Sequence, residues 1–354
     1  MAQELVKVFT RDFSLFITQW WRQVQTDNFV RMLGVGYTDS PAAHDGFSVA
    51  YFYLQQDWDA IGLAVIEKLR KNPDFYAQVR VPYLDNVRQA HSFLQTVANQ
   101  DVLTPETVNR FRVLFYGLYP VLRFSNAIPS NWADSMRHLL GQKAEDIIQM
   151  ALEDRARTEG VFEAIDSQLR RLATGSLTRE GKPGKLAKFL TADELNALAR
   201  GEAVDWTDVS SRTAGFTYCR GRLYATKDYA SIFRENGYAY DEPKVAGSEV
   251  VGSIAHDGGV RHGVVRRVFA LEQLDAFQAG EVLVCPMTVP DYVPVMKKAV
   301  AVVTDEGGMG CHAAIVCREL RIPCIVGTKV ATRLFSDGDH VEVNTTAGRV
   351  RKLA

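Results

Sequence analysis

The chain has 354 residues, 47% hydrophobic and 23% charged, and its 41 basic and 42 acidic side chains leave a net charge of −1. That length supports two or three globular domains with cores of their own, and the balanced charge excludes a global field drawing the chain to nucleic acid or anionic membrane. The opening MAQELVKVFTRDF lacks the order of a secretory signal, and apolar runs such as Ala299 to Val303 are far too short to cross a bilayer, so a cytoplasmic protein with neither nucleic-acid nor membrane partner is expected.

In chain order, the pattern is helical up to about Arg200. Phe13, Phe16, Ile17, Trp20 and Val24 share one helix face, with Arg11, Asp12, Arg22 and Gln23 off it. Thr104-Pro105 reads as an N-cap followed by a first-turn proline, and Asn131 as the cap of a helix from Trp132 to Leu140. Thr174 to Lys188 is polar and glycine-bearing, an exposed connection. Thr191-Ala-Asp-Glu194 is a capping box whose helix stops at Gly201. Aromatics crowd this half, and Tyr51-Phe-Tyr53 cannot all face one way on a helix, so some of them are candidates to line an apolar pocket. The expected layout is an all-helical domain over 1–236 for docking or acceptor binding, a hinge over 237–249 carrying Pro243 and Gly247, and a second domain over 250–354.

From about Val250 short β-rich runs alternate with glycines. Val282–Cys285, Ala299–Thr304, Cys324–Val326 and Val341–Asn344 read as strands, and Cys311–Leu320 as a helix ended by Pro323. Five cysteines (219, 285, 311, 317 and 324) form neither a CxxC pair nor a zinc spacing. They are expected to be reduced and mostly buried, with no metal site. His44, His91 and His138 are read as surface or structural groups, His256 and His262 as part of a solvated turn with a place beside the phosphoryl group as the alternative, and His340, which precedes a strand, is assigned no role.

The chemistry concentrates in Thr304-Asp-Glu-Gly-Gly-Met-Gly-Cys-His312-Ala-Ala-Ile, a strand, a glycine-rich turn and then a helix with the histidine in its first turn. Gly307, Gly308 and Gly310 let the backbone approach a ligand and take positive φ. A first helical turn has free N–H groups and a partial positive charge, which suits phosphate oxygens. The same charge disfavours imidazolium and keeps His312 nucleophilic. His312 is therefore the candidate phosphoryl carrier, with Cys311 beside the phosphate and Thr304, Asp305, Glu306 and Arg318 as auxiliary candidates. A histidine that merely caps a tight turn is the plainer reading of the motif alone.

The segment from Gly252 to Arg349 resembles the swivelling phosphohistidine domain of the PEP-utilising enzymes, as in phosphoenolpyruvate synthase and pyruvate phosphate dikinase. The resemblance is carried by Gly280-Glu-Val-Leu-Val284, Pro290-Asp-Tyr-Val-Pro294, Met296-Lys-Lys-Ala299 and the stretch from Thr304 through Thr328. It implies a β/β/α fold, a covalent phosphohistidine on His312, and loading from ATP with Mg²⁺. A threonine that such domains carry two residues before the histidine, where regulatory phosphorylation occurs, is Gly310 here. Neither an ATP-grasp pattern nor a (β/α)₈ pattern is found, so ATP and Mg²⁺ are expected to come with an ATP-grasp partner in trans. In layout the chain is similar to rifampicin phosphotransferase without its ATP-grasp domain, or to the histidine-bearing subunit of phenylphosphate synthase. The implied function is a phosphotransferase subunit carrying a phosphoryl group between that partner and a small-molecule acceptor, with a non-catalytic carrier or regulatory docking protein as the alternative.

Overall fold

A computed structural model describes residues 2–353, with the Ser130 side chain outside the description. The chain divides into two compact units. The first comprises residues 1–7, 13–46 and 51–239, and the second residues 8–12, 47–50 and 240–354.

The elements of the first unit, with two strands that run on into segments of the second, are β1 (Gln3–Arg11), α1 (Leu15–Leu33), β2 (Ala42–His44), β3 (Val49–Leu54), α2 (Gln55–Lys71), α3 (Phe75–Val97), α4 (Pro105–Ala127), α5 (Ala133–Leu140), α6 (Gln142–Thr158), α7 (Val161–Arg179), α8 (Ala192–Arg200), α9 (Trp206–Ser211), β4 (Phe216–Cys219), β5 (Arg222–Tyr224), α10 (Tyr229–Glu235) and β6 (Tyr238–Ala239). The expectation of an all-helical N-terminal region is corrected here, because six strands in the order β5-β4-β2-β3-β1-β6 form a sheet. Strands β2 and β5 have only three residues each, too few for a period-2 pattern to register. The run Tyr51-Phe-Tyr53 lies in β3, where alternation sends Tyr51 and Tyr53 to one face and Phe52 to the other. Tyr51 meets Phe13 and Trp21, while Phe52 meets Tyr229 and Phe233.

Helix α1 begins after Ser14 and buries Trp21 and Gln25 in addition to Phe16, Ile17, Trp20 and Val24. It is enclosed on more than one side rather than along a single stripe. Thr104 caps α4 through the Thr107 N–H, and the Thr191 capping box and the Gly201 stop frame α8. Asn131 does not cap α5. A π-helical turn over Ile128–Trp132 joins α4 to α5, and α5 has no side-chain cap. The expected exposed connection at 174–188 is mostly ordered as well. Helix α7 continues to Arg179 because Leu172, Ala173 and Leu177 are buried, and a 3₁₀ turn covers Gly184–Phe189.

The second unit contains β7 (Glu249–Val251), β8 (Ser253–His256), β9 (Val260–Arg267), β10 (Val282–Cys285), α11 (Val293–Met296), β11 (Ala301–Thr304), α12 (His312–Leu320), β12 (Cys324–Val326), α13 (Ala331–Leu334), β13 (His340–Asn344) and β14 (Arg349–Lys352). Its eight-stranded sheet runs β7-β14-β13-β9-β10-β11-β12-β8, with β9, β10, β11 and β12 mutually parallel. Parallel strands covered on both faces read as unbroken apolar runs, and β10, β11 and β12 are buried at every residue. Alternate residues feed two cores. Leu283, Val302 and Cys324 pack with Ala313, Ala314 and Cys317 of α12. Val284, Val303 and Ile325 pack with Phe335, Val341 and Val350. Cys285, Cys317 and Cys324 are free and buried here, as Cys219 is in the first unit, and Cys311 is half-buried.

Candidate phosphotransfer site

The carboxyl end of a parallel strand leads into the site, a position that leaves the following loop free to bind ligands. Strand β11 ends at Thr304, the loop Gly307–Gly310 is exposed, and α12 begins at His312 with Cys311 in the N-cap position. Of the three loop glycines only Gly307 has a backbone that demands glycine. Its φ is +105°, and a Cβ there would lie 2.7 Å from the Cys311 sulfur. A Cβ at Gly308 or Gly310 would meet nothing within 4 Å. Helix α12 ends one step earlier than Pro323 requires. Arg321 turns left-handed at φ +56°, and the Ile322 N–H bonds back to the Cys317 carbonyl at 2.8 Å.

His312 is half-buried, and its Nδ1 lies 2.8 Å from Oγ1 of Thr288. Burial, then the positive charge of Arg11, lower its pKa from 6.5 to about 4, against an opposing pull from Asp291. The imidazole is therefore neutral over the whole physiological range. Sequence reasoning missed Thr288. It stands 24 positions before the histidine in the turn after β10, and a buried threonine after a strand gives no signal of its own. Arg11 was noted only as an off-face helix residue, whereas it lies in β1 before α1 starts.

The other expected residues divide into those near the glycine turn and those that brace it. Thr304 is fully buried, donates to the Glu306 carbonyl at 2.6 Å and accepts at its own carbonyl from Thr328. Asp305 is buried and accepts from the Thr328 hydroxyl at 3.1 Å and from the Thr332 N–H at 3.1 Å, as well as from the Thr332 hydroxyl. These bonds tie β11 to the start of α13. The Glu306 carboxylate accepts from the N–H and hydroxyl of Thr10 at 2.7 and 2.5 Å. Arg318 is exposed and donates to the Met309 carbonyl at 2.8 Å, which holds the glycine loop against α12. Among the described residues no three His, Cys, Asp or Glu side chains cluster as metal ligands, and no helix is long and apolar enough to cross a membrane.

His262, expected in a turn, lies in β9 with Nε2 3.5 Å from Glu342. His256 lies in β8 and His340 opens β13, whereas His91 and His138 are exposed on helices. His44 is buried and stacks on Phe216, with ring centroids 5.1 Å apart.

Residues 277–348 match the family described as PEP-utilising enzyme, mobile domain. A probable phosphoenolpyruvate synthase of Archaeoglobus fulgidus is 40% identical over 134 residues, covering 37% of this chain and 18% of that protein. The phosphoenolpyruvate synthase of Pyrococcus furiosus is 42% identical over 134 residues, or 37% of this chain and 16% of its own length. That of Deinococcus radiodurans is 55% identical over 86 residues, covering 24% and 11%. The histidine-bearing part of this chain is thus similar to the mobile domain of the PEP-utilising enzymes. The chain spans less than a fifth of the length of these relatives.

Proposed function

We propose that the chain is a phosphotransferase subunit in which His312 accepts a phosphoryl group from nucleotide bound to an ATP-grasp partner and passes it to a small-molecule acceptor. One observation carries this reading: a neutral histidine in the first turn of α12, entered through the left-handed Gly307, with its ring fixed by Thr288 at 2.8 Å. When Nδ1–H donates to the Thr288 hydroxyl, the lone pair of Nε2 is left to attack phosphorus. An N–P bond forms to the β-phosphorus of ATP as its P–O bond to the α-phosphate breaks, water releases the γ-phosphate by breaking the remaining P–O–P linkage, and the proton stays on Nδ1, hydrogen-bonded to the Thr288 hydroxyl. The acceptor oxygen then attacks the same phosphorus, and Nε2 leaves with its electron pair.

Charge on the transferring group is neutralised in such reactions by nucleotide-bound Mg²⁺. The Asp305 carboxylate is engaged by Thr328 and Thr332, so the reading brings the metal in with the nucleotide. The segment 237–249 serves as the hinge on which the histidine domain swings between donor and acceptor.

The test is incubation of the chain with β- and γ-labelled ATP, alone and with an ATP-grasp partner encoded nearby. Acid-labile, base-stable label is expected from the β position, as the family resemblance implies, and only with the partner present. Efficient labelling by ATP alone would overturn the dependence on a partner. A second expectation follows from the lowered pKa, about 4. The neutral ring is the nucleophile, so the initial rate of His312 labelling should be level between pH 8 and about 5 and decline only on approaching the lowered value. Half-maximal labelling near the ordinary imidazole pKa would contradict it.

A further inference from the structure

The first unit holds a guanidinium that no carboxylate pairs with among the described residues. Other shielded arginines of this unit are matched by carboxylates: Arg22 by Asp39, Arg80 by Asp154 and Glu153, Arg170 by Asp166, and Arg212 by Glu194 and Asp208. Arg123, half-buried on α4, is different. Its Nε donates to the Tyr37 hydroxyl at 3.2 Å, and its Cζ lies 4.3 Å from the Trp58 ring centroid and 5.5 Å from that of Tyr53. Among the described residues no carboxylate bonds to it. Asp57, the acid beside Tyr37, directs its carboxylate to the N–H and hydroxyl of Thr38 at 2.7 and 2.8 Å. Burial raises the pKa values of Tyr37 and Tyr119, so both phenols are neutral and leave the cation uncompensated. A shielded charge without a counter-ion is expensive, and aromatic faces offset only part of that cost.

A second, independent unsatisfied group lies in the same cluster. Tyr119 precedes Arg123 by one helical turn, and its hydroxyl receives Nε2 of Gln25 at 2.6 Å. Gln25 is only 3% exposed, yet its amide oxygen has no hydrogen-bond partner among the described residues. Turning the amide over merely moves the unsatisfied end from oxygen to nitrogen. The side chains that surround Arg123 are flat and largely apolar. Trp58 stacks on Trp132 at 5.0 Å and on Tyr53 at 5.4 Å, and the π-helical turn Ile128–Trp132 delivers Trp132 to that position. Single π turns of this kind are frequent at functional sites.

We propose that this cluster binds a small aromatic carboxylate, with the Arg123 guanidinium taking the carboxylate and the Tyr53–Trp58–Trp132 group packing on the ring. The guanidinium fork matches a carboxylate in two parallel bonds, and the orphaned Gln25 amide is matched by a polar substituent on the ligand. The inference deepens the acceptor role proposed above, but its test reads binding alone, so it can fail while His312 is still phosphorylated.

The test titrates the full chain with benzoate, 4-hydroxybenzoate and benzyl alcohol by calorimetry, together with ¹⁵N-indole NMR of the unaltered protein. Benzoate and 4-hydroxybenzoate should bind and shift the indole signals of Trp58 and Trp132 while leaving that of Trp206 in place, and benzyl alcohol should bind at least tenfold more weakly. Arg123→Met should weaken benzoate binding at least tenfold, and Arg123→Lys, which keeps the charge without the fork, by an intermediate factor. Equal binding of benzoate and benzyl alcohol, shifts confined to other tryptophans, or an undiminished affinity in a folded Arg123→Met chain would overturn the proposal. The NMR measurement on the unaltered chain decides the matter even where a variant fails to fold.

Discussion

His312→Ala should abolish phosphorylation altogether, with label in the protein band falling to background under conditions that label the unaltered chain to completion. No other histidine is placed to substitute. His256, His262 and His340 lie on strands of the same unit, and none stands in the first turn of a helix. The fold should survive. Alanine is the best helix former, His312 is only half-buried, and the loss is confined to one hydrogen bond with Thr288, worth about 1 kcal/mol. Circular dichroism and a thermal melt separate loss of chemistry from loss of structure. His312→Asn should behave alike, because it keeps polarity and removes the nucleophile. Label persisting in His312→Ala, or recovered on serine or threonine, contradicts the assignment.

Thr288→Val should slow labelling by about tenfold to a hundredfold, the equivalent of roughly 1.4–2.7 kcal/mol at the transition state. Valine fills nearly the same buried volume but cannot accept from Nδ1–H, so the ring is free to rotate and to carry its proton on Nε2 instead. Thr288 acts here as a positioning residue, since it touches the histidine and not the phosphorus. Two readouts distinguish that role from a packing role. Thr288→Ser should restore most of the rate, because the hydroxyl returns while the methyl is lost. ¹⁵N NMR of the imidazole should show Nδ1 protonated in the unaltered chain and a mixture of tautomers in Thr288→Val. A serine variant as slow as the valine variant would place the effect in packing.

The sequence by itself determined the parts of this protein that are local. The strand–loop–helix carrying His312, the buried runs Val282–Cys285 and Cys324–Val326, the Thr104 cap and the Thr191 capping box all stand where their residues predict. Each depends on neighbours within a few positions, through apolar continuity, cap chemistry or the φ that Gly307 alone can take. The tertiary structure decided what depends on distant partners. The sheet of the first unit joins Ala42–His44 to Phe216–Cys219, a pairing that no short window contains, and so strands of three or four residues passed for helical or loop sequence. Asp305 is an auxiliary candidate beside the histidine in the sequence, and only the fold commits its carboxylate to Thr328 and Thr332. Thr288 acquires its role only when the turn after β10 is folded beside α12. Arg123 is an ordinary helical arginine in the sequence, and only packing against Tyr37, Tyr53 and Trp58 leaves its charge without a carboxylate.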